Sequence, residues 1–198
     1  MKYVNQLDYA HIPYITRTSY EGEAYEKGQK TTVRSSGCGL CSAIMVGDRL
    51  LPDFSFTPEE AVQFSYDVGA NQKNGTSYRI FAPAFAEKFG LKHEGTNDAQ
   101  RLIECLKTGG AAVAHSGGDG ENYVGTFSHG GHYVAVISVE PDGRLAVLDP
   151  SYKEGKYEEE GRGGKVEMKN GVIALCDVEV LKKDCSTRNP SFHLFWRA

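Results

Sequence analysis

Three residues have the side-chain types and the surroundings for nucleophilic chemistry: Cys38, His132 and Asp149. Cys38 lies in Ser35-Ser36-Gly37-Cys38-Gly39-Leu40-Cys41-Ser42-Ala43-Ile44-Met45-Val46. The serines and glycines around it are turn and cap residues, and glycine lets the backbone bend sharply. From Leu40 on, the residues are small or apolar with no breaker before Gly47, which predicts a buried helix over Cys38 to Leu50. Cys38 then stands at a helix N-terminus, where unpaired N–H groups and the positive end of the helix dipole stabilise an anion. Such a site favours the thiolate, the form of cysteine that attacks a carbonyl carbon. The alternative for the same residue is a small buried side chain on a core-facing helix.

His132 opens the run His132-Tyr133-Val134-Ala135-Val136-Ile137-Ser138-Val139, which reads as a strand. Pro141-Asp142-Gly143 is a turn, and Arg144 to Asp149 is the partner strand. A hairpin brings the start of one strand beside the end of the next, so His132 and Asp149 become neighbours. A general-base imidazole needs that adjacency, because a carboxylate on its second nitrogen fixes tautomer and orientation. A cysteine at a helix N-terminus facing a histidine and an aspartate on adjacent strands is the arrangement of papain-like thiol hydrolases.

The elements around these residues form one α+β unit over residues 1–198, helices first and an antiparallel sheet after. Thr57-Pro58-Glu59-Glu60 is a helix start with a Thr cap, Pro in the first turn and Glu three residues on. The helix it opens stops near Gly69. Tyr78 to Phe89 is a third helix, with Pro83 interrupting it or marking its first turn and Gly90 as its stop. Asp98 to Lys107 is a fourth. Ala111 to His115, Val172 to Leu175 and Ser191 to Trp196 are further strands. Residues 1–34 are mostly irregular, with Tyr3 and Val33 assigned to short strands. Ser116 to Gly131 is a Gly-rich loop that can wall a cleft at the histidine, with His129 on it. Ser151 to Gly164 is charged and Gly-rich and reads as an exposed excursion; Tyr20 to Lys30 reads as a solvated segment.

The chain has 198 residues, 40% of them hydrophobic and 24% charged, with a net charge of −4. It can bury a core without disulfides or metals. Nothing in this balance points to nucleic acid, and no apolar run approaches the length of a membrane span. Met1 to Asp8 lacks the apolar core of a signal peptide, which predicts a cytoplasmic protein as the sequence stands, or a secreted or cell-surface one if a leader has been removed. The cysteines are Cys38, Cys41, Cys105, Cys176 and Cys185, an odd number that suits reduced thiols, with Cys176 and Cys185 the one candidate pair. Cys38-x-x-Cys41 with His129-x-x-His132 has the ligand types of a zinc site, but Gly39-Leu40 leads into an apolar helix rather than a knuckle. A thioredoxin-type redox role lacks its strand-loop-helix setting. His11, His93, His115 and His193 read as structural or surface residues.

Ser36-Gly37-Cys38-Gly39, Gly131-His132-Tyr133-Val134-Ala135-Val136 and Leu148-Asp149-Pro150, in that order, resemble the papain-fold cysteine peptidases related to bacteriocin-processing double-glycine peptidases, above all their stand-alone bacterial relatives. Gln6-Leu7-Asp8-Tyr9 resembles the Gln-containing segment near the start of those proteins, and the resemblance runs from Asn5 to about Pro150. It implies a hydrolase of peptides or other amides with Cys38 as nucleophile, His132 as general acid/base, Asp149 as orienter and Gln6 as oxyanion donor, and no cofactor. The pattern departs in two places. Gln6 stands far before Cys38, which makes Thr16 to Lys30 an insertion, with Gln29 the other upstream glutamine. Leu40-Cys41 replaces Pro followed by a small hydroxyl residue. A papain-fold binding module without turnover is the competing reading.

Overall fold

A computed structural model of the chain describes residues 2–16, 32–72 and 75–198. Helices α1 (Val33–Ser36), α2 (Cys38–Leu50), α3 (Pro58–Asp67) and α4 (Tyr78–Phe89) come first, with a small ribbon of β1 (Asn71–Gln72) and β2 (Gly75–Thr76) before α4. There follow β3 (Leu91–Thr96), α5 (Ala99–Lys107), β4 (Ala111–Ser116), β5 (His132–Val139), β6 (Leu145–Leu148), β7 (Val166–Lys169), β8 (Ile173–Cys176), α6 (Val178–Asp184) and β9 (Phe192–Arg197). Seven strands make one antiparallel sheet in the order β3-β9-β4-β5-β6-β8-β7. This is the α+β architecture that the order of helices and strands predicts.

The central strands are buried on both faces, so their residues alternate between two cores. Ala111, Val113, Ala135, Ile137, Ala146 and Leu148 pack with α2, α3 and α4. Ala112, Ala114, Val134, Val136, Leu145 and Val147 pack with residues of α5 and α6. The helix starts follow their caps: the Thr57 hydroxyl accepts from the Glu60 N–H, and the Glu60 carboxylate accepts from the Thr57 N–H. Gly90 ends α4 in the left-handed conformation at φ 64°. Pro83 lies inside α4 rather than at its first turn. It is exposed, so the carbonyl left without a donor one turn back can turn to water.

Helix α2 is fixed along β5 at two points. The Ser42 hydroxyl donates to the Tyr133 carbonyl at 3.2 Å, and Arg49 Nε donates to the Ile137 carbonyl at 3.3 Å. Gly47 admits the Phe54 ring, which would stand 2.2 Å from a Cβ there.

Several expectations are corrected. Val33 opens α1 instead of a strand, and Tyr3 is irregular. Strands β3 and β7, at the sheet edges, are not among the expected strands; β7 is only four residues long, and its Val166-Glu167-Met168-Lys169 alternates half-buried with exposed positions. The 151–164 stretch is no exposed excursion: Lys156, Tyr157 and Arg162 are buried. The candidate pair Cys176 and Cys185 does not form, while the reading of reduced thiols stands, since all five cysteines are free. The insertion over Thr16 to Lys30, Gln29 and the solvated segment at Tyr20 to Lys30 lie, beyond Thr16, outside the described residues.

An aromatic cluster joins the helical layer to the sheet. Phe85 is fully buried on α4, and its ring meets Phe54, Phe56, Phe81 and Phe89 and, edge-on at 5.8 Å, Phe195 of β9. Phe85→Ala is expected to lower the unfolding free energy by about 3–5 kcal/mol in urea titration. A loss well under ~1 kcal/mol would mean that the cluster does not couple the two layers.

Candidate active site

Cys38 is the first residue of α2 and is partly exposed. Close approach explains the glycines on either side of it. A Cβ on Gly37 would lie 2.5 Å from Val33 Cγ1 and 2.6 Å from the Val33 carbonyl oxygen. One on Gly39 would lie 2.8 Å from Cε2 of Tyr78, whose hydroxyl donates to the Gly39 carbonyl. The thiol therefore emerges from a backbone held tightly on both flanks.

His132 begins β5, and extending the Ala135↔Leu148 register puts Ser151 across from it and Asp149 on the adjacent diagonal. His132 Nε2 is 2.8 Å from Asp149 Oδ1 and 3.1 Å from the Ser151 hydroxyl. That leaves Nδ1 for Cys38, whose thiol is close enough to feel the imidazole. Asp149 is almost wholly buried and saturated: its Oδ1 also accepts from the Ser151 N–H at 2.9 Å, and its Oδ2 accepts from Lys156 Nζ at 2.5 Å and the Tyr157 hydroxyl at 2.7 Å. The hairpin thus brings His132 and Asp149 together, and α2 sets Cys38 on their side of the sheet.

The electrostatics favour charge separation. Burial raises the cost of a thiolate at Cys38, but the hydrogen bond and charge of His132, with the Tyr133 and Gly39 N–H groups, outweigh it and leave the thiol below its ordinary range. Burial disfavours an imidazolium at His132; Asp149 reverses this and, with Cys38, lifts the group to about 9. The Asp149 carboxyl is buried too, yet His132 and Lys156 hold it far below the usual carboxylate range. Burial pushes the other thiols, Cys41, Cys105, Cys176 and Cys185, upward. Of the five cysteines only Cys38 is shifted in the direction that favours a thiolate.

Beside Cys38 opens a cleft of about 710 Å³. Tyr78 and Tyr133 stack at 4.4 Å on one part of it, and His115 stacks on Tyr133 at 4.1 Å. The far wall is Thr187 to Pro190, not the loop at 116–131, which contributes Gly131 alone. That loop instead packs on buried Asp184, which accepts from the Tyr123 hydroxyl and the Thr126 and Phe127 N–H groups. His129 is not in the cleft; it is exposed and pairs with Asp119 at 2.9 Å. His115 and His193, read from sequence as structural or surface residues, do line it. The four residues of the zinc reading do not converge, since Cys41 is fully buried in the helical core and His129 faces outward. Among the described residues no helix is long and apolar enough to cross a membrane. Gln6 is buried in a 3-10 turn next to the site: its N–H donates to the Pro150 carbonyl, and its Nε2 donates to the Arg34 carbonyl at 2.7 Å.

Sequence reasoning missed Lys156, Tyr157 and Ser151. Lys156 and Tyr157 sit in a short 3-10 turn with no periodicity to betray burial, and a lysine amid Lys153, Glu154, Glu158 and Glu159 looks like any solvated charge. The one available signal is Ser151, two residues after Asp149 at a strand end, where a hydroxyl can bond back to the carboxylate. Lys156→Met is expected to lower stability by about 3–5 kcal/mol, because it leaves a buried carboxylate short of a cation. It should also move the His132 titration upward from about 9, since Asp149 then acts on the imidazolium unopposed. Urea unfolding and imidazole NMR measure both, and an unmoved His132 midpoint would show that Lys156 does not bear on the site.

No protein-family description matches this chain, and no curated protein sequence matches it. Solved structures do. A C39-like peptidase from Bacillus anthracis superposes with a TM-score of 0.53 at 8% identity, over 82% of this chain and 89% of that one. The peptidase domain of Streptococcus ComA, a bi-functional ABC transporter involved in a quorum sensing pathway, does so with a TM-score of 0.50 at 12% identity, over 81% and 91%. The fold of this chain is that of the papain-like C39 peptidases.

Proposed function

We propose that the chain is a single-domain cysteine peptidase or amidase of the C39, bacteriocin-processing kind, cutting a peptide or other amide through a Cys38-His132-Asp149 triad. The observation that carries the reading is His132 held at 2.8 Å by the buried Asp149, with Cys38 at the edge of a cleft and its thiol drawn down by that imidazole. The C39 peptidase fold supports it.

In this mechanism Cys38 sulfur attacks the carbonyl carbon, and the C=O electron pair moves to oxygen. The oxyanion is held by the Cys38 N–H, one of the unpaired donors of the helix start, and by the Gln6 amide. Gln6 spends one amide N–H on Arg34, which aims the group and leaves its second N–H for the oxyanion. The oxyanion collapses, the C–N bond breaks, and His132 gives its Nδ1 proton to the leaving amine. Water then attacks the thioester as His132 takes its proton. The C–S bond breaks, the acid leaves and the thiolate–imidazolium pair is restored.

The test is cleavage of a defined peptide pool, followed by mass spectrometry. Cys38→Ser is expected to abolish turnover, and Gln6→Ala to lower kcat by about 10²–10³-fold if it supplies the oxyanion donor. Turnover should fall above about pH 9, as His132 loses the proton it gives to the amine. Hydrolysis by Cys38→Ser at the wild-type rate would exclude the assignment.

A further inference from the structure

The cleft beside Cys38 carries positive charge on a chain that is acidic overall. Among the described residues two charged side chains line it, Arg79 and Arg188, and no Asp or Glu does, although the whole chain has a net charge of −4. Both arginines are held by backbone carbonyls. Arg79, on the first turn of α4, donates to the Asn189 carbonyl. Arg188 donates through Nε and Nη2 to the carbonyls of Ser116 and Gly117, each at 3.3 Å. A carbonyl orients a guanidinium without neutralising it, and among the described residues neither arginine has a carboxylate partner.

Arg188 is close to the reacting groups. Its Nη2 would lie 2.8 Å from a Cβ on Gly131, the residue before His132, so the guanidinium fills the space that this glycine leaves open. Its charge is felt at His115 and Tyr133, and that of Arg79 at His193. The two arginines thus bear on the aromatic part of the cleft that Tyr78, Tyr133, His115 and His193 form. A guanidinium fork in a partly enclosed site, oriented and uncompensated, suits a planar carboxylate.

We propose that Arg79 and Arg188 form a carboxylate-binding subsite, so that the preferred substrate presents an acidic side chain or a free C-terminal carboxylate close to the bond that is cut. This rests on the peptidase reading for the cutting, but not for the binding.

Four labelled heptapeptide pools test it: neutral with an amidated C-terminus, the same with one Glu, the same with one Lys, and neutral with a free C-terminal carboxylate. Binding is read by fluorescence anisotropy on Cys38→Ala, and cleavage by mass spectrometry on wild type. The Glu pool, the free-carboxylate pool or both are expected to bind and to be cut roughly tenfold better than the neutral amidated pool. Which of them gains identifies the source of the carboxylate. Arg79→Gln and Arg188→Gln should each raise KM for the favoured pool with kcat little changed, while Arg188→Lys keeps part of the preference; thermal melts verify folding. Arg79→Gln keeps the test open if Arg188→Gln fails to fold, since Arg79 is exposed. Equal binding of all pools, better binding of the Lys pool, or a preference that survives both glutamine variants would overturn the subsite. Arginine-dependent binding without cleavage would retain the subsite and sink the peptidase reading; cleavage of all pools alike would do the reverse.

Discussion

The buried charge on Asp149 is the constraint that the rest of the site obeys. An ionised carboxylate inside a protein is tolerated only when its lone pairs are met by cations and donors. Here His132, Lys156, Tyr157 and Ser151 meet them. Three consequences follow. The imidazole is locked with Nε2 on Asp149 and Nδ1 left for Cys38. The imidazolium becomes the stable form, which in turn stabilises a thiolate. And the charged stretch after β6 folds back over the sheet end, because Lys156 must reach the carboxylate. Tyr3 closes the same corner by donating to the Asp149 carbonyl at 2.7 Å.

The other half of the site is a matter of placement. Helix α2 brings Cys38 to β5 because Ser42 and Arg49 bond carbonyls of that strand, and because Gly37, Gly39 and Gly47 allow contacts that any side chain would block. The aromatic cluster around Phe85 sets the helical layer against the sheet, and Tyr78 carries that packing into the cleft through its stack on Tyr133. Core and site are therefore one continuous structure.

What the sequence discloses follows from locality. Helix α2, the hairpin β5–β6, the capped start of α3 and the glycine stop of α4 are written in neighbouring residues: a Gly-Cys-Gly turn into small apolar residues, β-branched residues around Pro-Asp-Gly, a Thr-Pro-Glu-Glu box, and Gly90 after Phe89. The pairing of His132 with Asp149 is legible for the same reason, since a hairpin is the most local tertiary contact a sheet can make. The missed parts depend on partners far along the chain. Lys156 is buried only because Asp149 is there; the Thr187–Pro190 wall and the cleft histidines are brought in by β9 and β4, which the sequence does not order. Edge strands β3 and β7 are mostly half-buried or exposed, so few apolar residues mark them.

The measurement that bears most directly on the thiolate–imidazolium pair is the pH dependence of Cys38 alkylation by iodoacetamide, followed by peptide mapping in wild type, His132→Ala and Asp149→Asn. A paired thiolate predicts fast modification already below pH 7 in wild type. In His132→Ala the midpoint should shift up toward the ordinary thiol value of about 8.5, with Asp149→Asn in between. A wild-type rate that rises only through that ordinary range, with a profile indifferent to His132, would contradict the account and leave Cys38 an ordinary thiol.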